Sequence, residues 1–485
     1  MDEMFVDRLT VEHLSSLQSV TKALRDEQFR CGVEPEVLHS VSALLLRLSA
    51  KLQEDPDAQT APLCLQLATE CFRAQRNACV QCPRNQCILR DQGCIQVSLG
   101  FLGKLLKLPS GASDHRLDAL RCGIQFLGNA AVGNQLCKDD IWACGFPHMF
   151  LDLLELDDEK AVAYTCMVIY TCLDTEKIEQ LGLDPIKLKV ALKITELCRT
   201  LPDIDWTVLI VTQHFFKSSE LIEKMYAEMN DHERLTLLEL VSSQLGEVKE
   251  EDCVIPLRTA QFFALSFQHS CKAVLSLSSV SSDDEQALAV IRLLDILCDM
   301  TSGQRRFMAL QDHPDLLQTT IELLKEVHFL GKASKNVFSA AQDFSLTSSD
   351  EAGTHPALSF KAHLIRLIGN LCHGHIANQN QVRKLDGIAL ILDNCNIDSN
   401  NPCILGCDSF YTPFTLSRFV ISQWAVFAIR NILEHNVDNQ KLVQGLRRQG
   451  VADDSVLREL GFCVQERDGN LLLRPIKKEK EQREH

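Results

Sequence analysis

Apolar residues recur at helical spacing along most of this chain, and four of the helices they predict carry an asparagine at a matching place. Ala428-Ile429-Arg430-Asn431-Ile432-Leu433 is followed by Asn439-Gln440. The arrangement returns as Ala74-Gln75-Arg76-Asn77-Ala78-Cys79 with Asn85-Gln86, and as Leu367-Ile368-Gly369-Asn370-Leu371-Cys372 with Asn378-Gln379. A weaker echo is Phe126-Leu127-Gly128-Asn129-Ala130-Ala131 with Asn134-Gln135. Asparagine is a mediocre helix former, so an apolar helix that keeps placing one has a use for its amide. Between these signatures the same periodicity predicts helices over Ala161–Leu173, Trp206–Phe216, Gln261–Leu277 and Ala287–Met300. Laying Ile291 to Cys298 on Leu364 to Cys372, through their shared Arg-Leu and Leu-Cys pairs, puts Ile296 at the asparagine position.

Self-similar helices a few tens of residues apart indicate a solenoid. Asn77 and Asn129 are 52 residues apart, close to the roughly 40–47 of an armadillo or HEAT unit plus a loop. Asn370 and Asn431 are 61 apart; removing the 16 residues Cys403–Arg418 leaves 45, so that stretch reads as a surface insertion. Gly387, within Leu385-Asp386-Gly387-Ile388, reads as a Gly-capped entry to another apolar helix. The expected fold is all-α, an armadillo-like α-α superhelix, with a small terminal β-hairpin over Gly461–Arg474 around Asp468-Gly469. The expected domains are repeats over 1–330, a flexible Ser-rich loop over 331–357, further repeats over 358–475 and a charged tail over 476–485.

Composition narrows the function. At 485 residues the chain exceeds one globular core, a limit that a stack contacting only its neighbours escapes. A formal charge of −16 disfavours nonspecific binding to nucleic acid or an anionic bilayer. The opening Met1-Asp2-Glu3 is no secretory signal and no apolar run is long enough to span a bilayer, so a soluble, intracellular protein is expected. Its 21 cysteines then read as reduced, mostly buried thiols. Cys79 and Cys82, near Cys64, Cys71, Cys87 and Cys94, lack the second half-site of a structural zinc, and His373 with His375 lacks a paired ligand motif, so no metal is expected. Ser281 or Ser282, followed by two acids, reads as a helix N-cap. No phosphate-binding Gly loop, nucleophile elbow or carboxylate pair is recognisable; a non-enzyme without cofactors is expected.

The asparagines admit two readings. In the first, Asn77, Asn129, Asn370 and Asn431 line a concave groove and pair with the main chain of an extended peptide, helped by Arg76, Arg430 and Trp424. In the second, each ties neighbouring repeats together by bonding an unpaired carbonyl, or marks, after Gly128 or Gly369, a helix end or bend.

Thr69 to Arg73 with Arg76 to Cys79, then Arg121 to Asn129, resemble the N-terminal half of the ataxin-10 family. Phe360 to Cys372 and Leu385 to Asn396 resemble its C-terminal domain, and the resemblance runs from about residue 35 onward, departing at Cys403–Arg418. It implies a cytoplasmic, perinuclear armadillo-type scaffold associated with centrosome, basal body and midbody, and linked to cell division by cytokinesis, to neuron survival and to neurite outgrowth. It also implies self-association, and as partners the O-linked N-acetylglucosamine transferase and a heterotrimeric G-protein β subunit. A transport-receptor-like module for extended basic peptides, steered by the acidic charge, is the alternative, as is a regulatory subunit of an enzyme such as a glycosyltransferase.

Overall fold

Amphipathic segments of six to twenty residues cannot bury their apolar stripes alone, and here most do so against helices of the neighbouring repeat. The computed structural model describes residues 11–54, 61–108, 114–247, 249–277, 284–303, 305–333, 338, 359–394, 421–446, 462–467 and 470–475. The chain divides into two compact units after Thr259.

The first unit begins with α1 (Val11–Ala23), α2 (Glu27–Gly32), α3 (Pro35–Glu54) and α4 (Ala61–Cys79). It continues through α5 (Pro83–Asp91), α6 (Cys94–Lys107), α7 (Asp114–Ala131), α8 (Gln135–Gly145), α9 (His148–Leu154) and α10 (Glu159–Cys172). After α11 (Thr175–Leu181) and α12 (Pro185–Thr200) come α13 (Asp205–Gln213), α14 (Ser219–Glu228) and α15 (Asp231–Glu247), and the division falls within α16 (Leu257–Ser270). Every third helix packs on its predecessor: α1 on α4, α4 on α7, α7 on α10, α10 on α13. We call these the ladder helices. Their buried sides carry Phe72, Ile124, Phe126, Val168 and Ile169, each at most 1% exposed.

The second unit holds α17 (Glu285–Thr301), α18 (Leu316–Ala333), α19 (Phe360–Cys372), α20 (Ile376–Lys384), α21 (Gly387–Asp393), α22 (Ile421–Leu433) and α23 (Val437–Gly445). Its ladder runs α17, α19, α22. The fold class is all-α, of the armadillo-like helical-repeat solenoid kind. Its strands among the described residues are the expected terminal hairpin, β1 (Phe462–Arg467) against β2 (Asn470–Pro475), antiparallel with Val464 opposite Leu473.

Several expectations need correction. The predicted loop starts late, because α18 runs to Ala333; nearly all the rest of 331–357, the 403–418 insertion and the 476–485 tail lie outside the described residues. The cap of α17 is Asp284, whose Oδ1 accepts from the Ala287 N–H at 3.2 Å; Ser281 and Ser282 also lie outside the described residues. Gly128 and Gly369 do not end their helices, which run on to Ala131 and Cys372. A Cβ on Gly369 would stand 3.0 Å from the Ala428 Cα, so this glycine lets two ladder helices approach, whereas one on Gly128 would meet the Met167 Cε at 2.4 Å, the far end of a flexible side chain. Before α21 it is Asp386, at φ 57°, that takes the left-handed turn, with Gly387 already helical.

Candidate functional site: the ladder helices

The last carbonyls of an α-helix have no partner within it, and the repeated asparagines and glutamines reach them. Asn77 Nδ2 donates to the Thr21 carbonyl at 3.0 Å, Asn129 Nδ2 to that of Arg76 at 3.1 Å, and Asn431 Nδ2 to that of Gly369 at 3.0 Å. Asn370 Nδ2 donates to the Cys298 carbonyl at 3.1 Å and to Thr301 Oγ1 at 3.0 Å. Each bond runs backward, from one ladder helix to the C-terminal turn of the one before it. Asn129 and Asn431 reach the residue just before the preceding asparagine; by the same rule the Cys298 carbonyl puts Asp299, not Ile296, in the asparagine position of α17. Ile296 is fully buried in the core.

The Asn-Gln pair completes the lattice. Asn85, Asn378 and Asn439 each donate twice, to a carbonyl of the preceding repeat (Arg30, Gln311, Gln379) and to one at the end of their own ladder helix (Ala78, Leu371, Ile432), all at 2.8–3.0 Å. The glutamine reaches forward. Gln86 Nε2 donates to the Asn129 and Val132 carbonyls at 2.9 Å, and Gln379 Nε2 to those of Asn431 and Glu434 at 2.9 and 3.2 Å. Gln311, in a 3-10 turn over Arg305–Asp312, bonds the Asn370 and His373 carbonyls in the same way, although no asparagine precedes it. Sequence reading passed over Gln311 because its local pattern is not that of the signature.

The fourth echo is out of register. Asn134 caps α8, accepting from the Cys137 N–H at 3.1 Å, as Asn436 caps α23. The place eight residues after Asn129 is Cys137, whose thiol donates to the Gln86 carbonyl at 3.8 Å where Asn439 uses an amide. The spacing of eight, rather than the Asn-Gln letters, was the signal.

These bonds leave Asn77, Asn370 and Asn431 buried, with their Nδ2 donors engaged inside the chain, and Asn129 half-buried. That is the geometry of the second reading, in which the amides hold repeats together. Arg76 lies beside Asn77 and Asn129: its Nε and Nη2 donate to Asn77 Oδ1 at 3.3 and 3.2 Å, and its Nη1 donates to Gln125 Oε1. Arg76, Gln125, Asn129, Tyr164 and Met167, from α4, α7 and α10, line an open depression of about 270 Å³. In the second unit Trp424 is half-buried, edge-on to Phe427 at 5.6 Å and under the Arg366 guanidinium at 5.0 Å, while Arg430 is exposed. Arg366 also donates to Asp299 at 2.9 Å.

Electrostatics on these faces are mostly paired. Arg121 grips Asp158 with both arms of its fork and holds that carboxyl below its ordinary range; Asp158 also caps α10 through the Ala161 N–H at 2.8 Å. Cysteine chemistry is suppressed by burial, which pushes the thiols of Cys71, Cys79 and Cys298 well up and those of Cys166 and Cys172 up to about 12. Cys79 closes α4 and Cys82 caps α5. His373 is the C-cap of α19; His375 caps α20, its Nδ1 accepting from the Asn378 N–H at 3.2 Å and its Nε2 lying 2.9 Å from Asp312 Oδ1. Among the described residues no group of three or more His, Cys, Asp or Glu side chains is arranged to hold a metal, and no helix is long and apolar enough to cross a membrane.

A family profile described as the spinocerebellar ataxia type 10 protein domain matches residues 360–407 and 417–474. Proteins named ataxin-10 align along nearly the whole length. The Xenopus tropicalis protein is 41% identical, covering 95% of this chain and 91% of its own. Those of Bos taurus and Homo sapiens are 37% and 36% identical, each covering 96% of this chain and 94% of the relative.

Proposed function

The chain belongs to the ataxin-10 family, and from that premise we propose that it is a non-enzymatic adaptor whose ladder-helix faces dock protein partners. One observation carries the reading. Along each ladder the small amides are turned inward to bind repeats, while Arg76, Gln125 and Tyr164 in the first unit and Trp424 and Arg430 in the second keep one side in solvent. Aromatic and arginine side chains on an otherwise fixed scaffold are the residue types that dominate protein interfaces. The partners proposed are the O-linked N-acetylglucosamine transferase and a G-protein β subunit, together with a second copy of the chain. The setting is a perinuclear cytoplasm, centrosome, basal body and midbody, with roles in cytokinesis and neurite outgrowth.

The full chain, immobilised, is titrated with each purified partner. Arg430→Glu alters an exposed position, so stability stays within about 0.5 kcal/mol, whereas a docking face that uses it loses affinity at least tenfold. Retained affinity in Arg430→Glu and in Trp424→Ala, with both variants folded, removes α22 from the interface; no binding by either partner or by a second copy ends the adaptor reading.

A further inference from the structure

We propose that the depression between α4, α7 and α10 is a subsite for the carboxylate of an acidic side chain in a partner's segment. This rests on the adaptor reading and assigns a ligand chemistry to one place on the first unit.

The argument starts from charge. Arg73 pairs with Glu70 and Arg121 with Asp158, but among the described residues no carboxylate pairs with Arg76. Its partners are the neutral oxygens of Asn77 and Gln125. A guanidinium has five N–H donors; those three bonds leave two, on the terminal nitrogens. The fork is held in place, with Nε and Nη2 both on Asn77 Oδ1, and Asn77 is itself fixed by its bond to the Thr21 carbonyl. A carboxylate meeting such a preset fork loses less entropy than one that must order a mobile arginine.

The other lining groups favour the same ligand. With Gln125 Oε1 turned to Arg76, the amide nitrogen of Gln125 is left as a donor. Tyr164 adds a phenol hydroxyl and Met167 an apolar wall for a methylene stem. Asn129 spends one amide N–H on the Arg76 carbonyl, which leaves its second. The site is thus rich in donors, in a chain whose formal charge is −16. Size sets the scale: about 270 Å³ falls below the roughly 300–1,000 Å³ of small-molecule and cofactor sites, so it takes a side chain rather than a cofactor. Charge-assisted bonds to a half-buried guanidinium are about twice as strong as neutral ones.

The test uses the full chain and three labelled hexapeptides of Gly and Ser with a central pair of glutamates, glutamines or phosphoserines, read by fluorescence anisotropy. The nonspecific field of an acidic protein repels the glutamate peptide, so its binding over the glutamine peptide is diagnostic. Gln125→Glu places a carboxylate against Arg76 from within; it keeps or raises the melting temperature and weakens the glutamate peptide at least tenfold. Arg76→Gln weakens it as much, and Tyr164→Phe by about threefold. The proposal is overturned if glutamate and glutamine peptides bind alike, if Gln125→Glu leaves binding unchanged, or if the phosphoserine peptide binds tenfold better than glutamate, which would make phosphate the ligand. Capture of the purified protein partners, measured in parallel, tests the adaptor reading separately: it can survive in each of these cases.

Discussion

Gln379→Ala is the sharpest probe of the inter-repeat lattice. The side chain is fully buried and donates to the carbonyls of Cys372, Asn431 and Glu434, while its Oε1 accepts from Asn436 at 3.2 Å. Truncation leaves the Asn431 carbonyl without that donor, while the Cys372 carbonyl keeps the His375 N–H at 3.2 Å. A stranded buried group costs about 1–3 kcal/mol and a lost bond about 0.5–1.5 kcal/mol, so the loss is about 1.5–4.5 kcal/mol, toward the lower end where water enters the space. Gln440 holds the same place in the next repeat, but its Nε2 bonds the Leu433 carbonyl of its own repeat at 2.8 Å, and no forward bond is seen among the described residues. Gln440→Ala should therefore cost only about 0.5–1.5 kcal/mol. Urea unfolding of the full chain by circular dichroism gives the totals, and hydrogen exchange of α19 and α22 amides locates the loss. If Gln379→Ala proves no more costly than Gln440→Ala, forward bonding by the glutamine is not what joins the repeats.

Gln311→Ala should loosen exchange protection in α19 as Gln379→Ala does in α22, despite Gln311 lying outside the sequence signature; unchanged protection would leave it a surface residue. Gly369→Ala gains about 1 kcal/mol of helix propensity but forces Ala428, whose Cα cannot swing aside, to move at a cost of about 1–3 kcal/mol. Gly128→Ala meets only the mobile end of Met167, so melting temperatures should place Gly128→Ala at or above the parent and Gly369→Ala below it; the reverse order would refute the close-approach argument. His214 is lowered to about 4 by burial, then by Lys217 and Lys138 against the opposing Asp174, with Tyr170 edge-on at 5.0 Å. Unfolding frees it to protonate near 6.5; stability is full above that value, falls as the pH drops toward about 4, and then levels. His214→Gln should flatten that stretch of the curve, and an identical slope in both proteins would show that other groups set it.

Much of this architecture was legible in one sequence because burial imposes a period. Ala161–Leu173 and Ala287–Met300 emerged as α10 and α17 within two residues at each end, and the letters Asp468-Gly469 between apolar runs announced the hairpin. The interval of eight between Asn77 and Asn85 was also visible, since the end of one helix and the start of the next recur together. What the asparagines do was not visible, because a donor amide suits a partner's main chain and a neighbouring helix's last carbonyl equally well. That choice belongs to the distance between helices, and ladder helices stacked as closely as Gly369 allows bring the Arg76 and Gly369 carbonyls within 3.1 Å of Asn129 and Asn431. The same packing recruits Gln311 and Cys137 into places where the letters differ, since a carbonyl accepts from any donor the fold delivers. It also leaves Arg76 held by neutral oxygens while Arg73 and Arg121 find acids, a difference that composition cannot express.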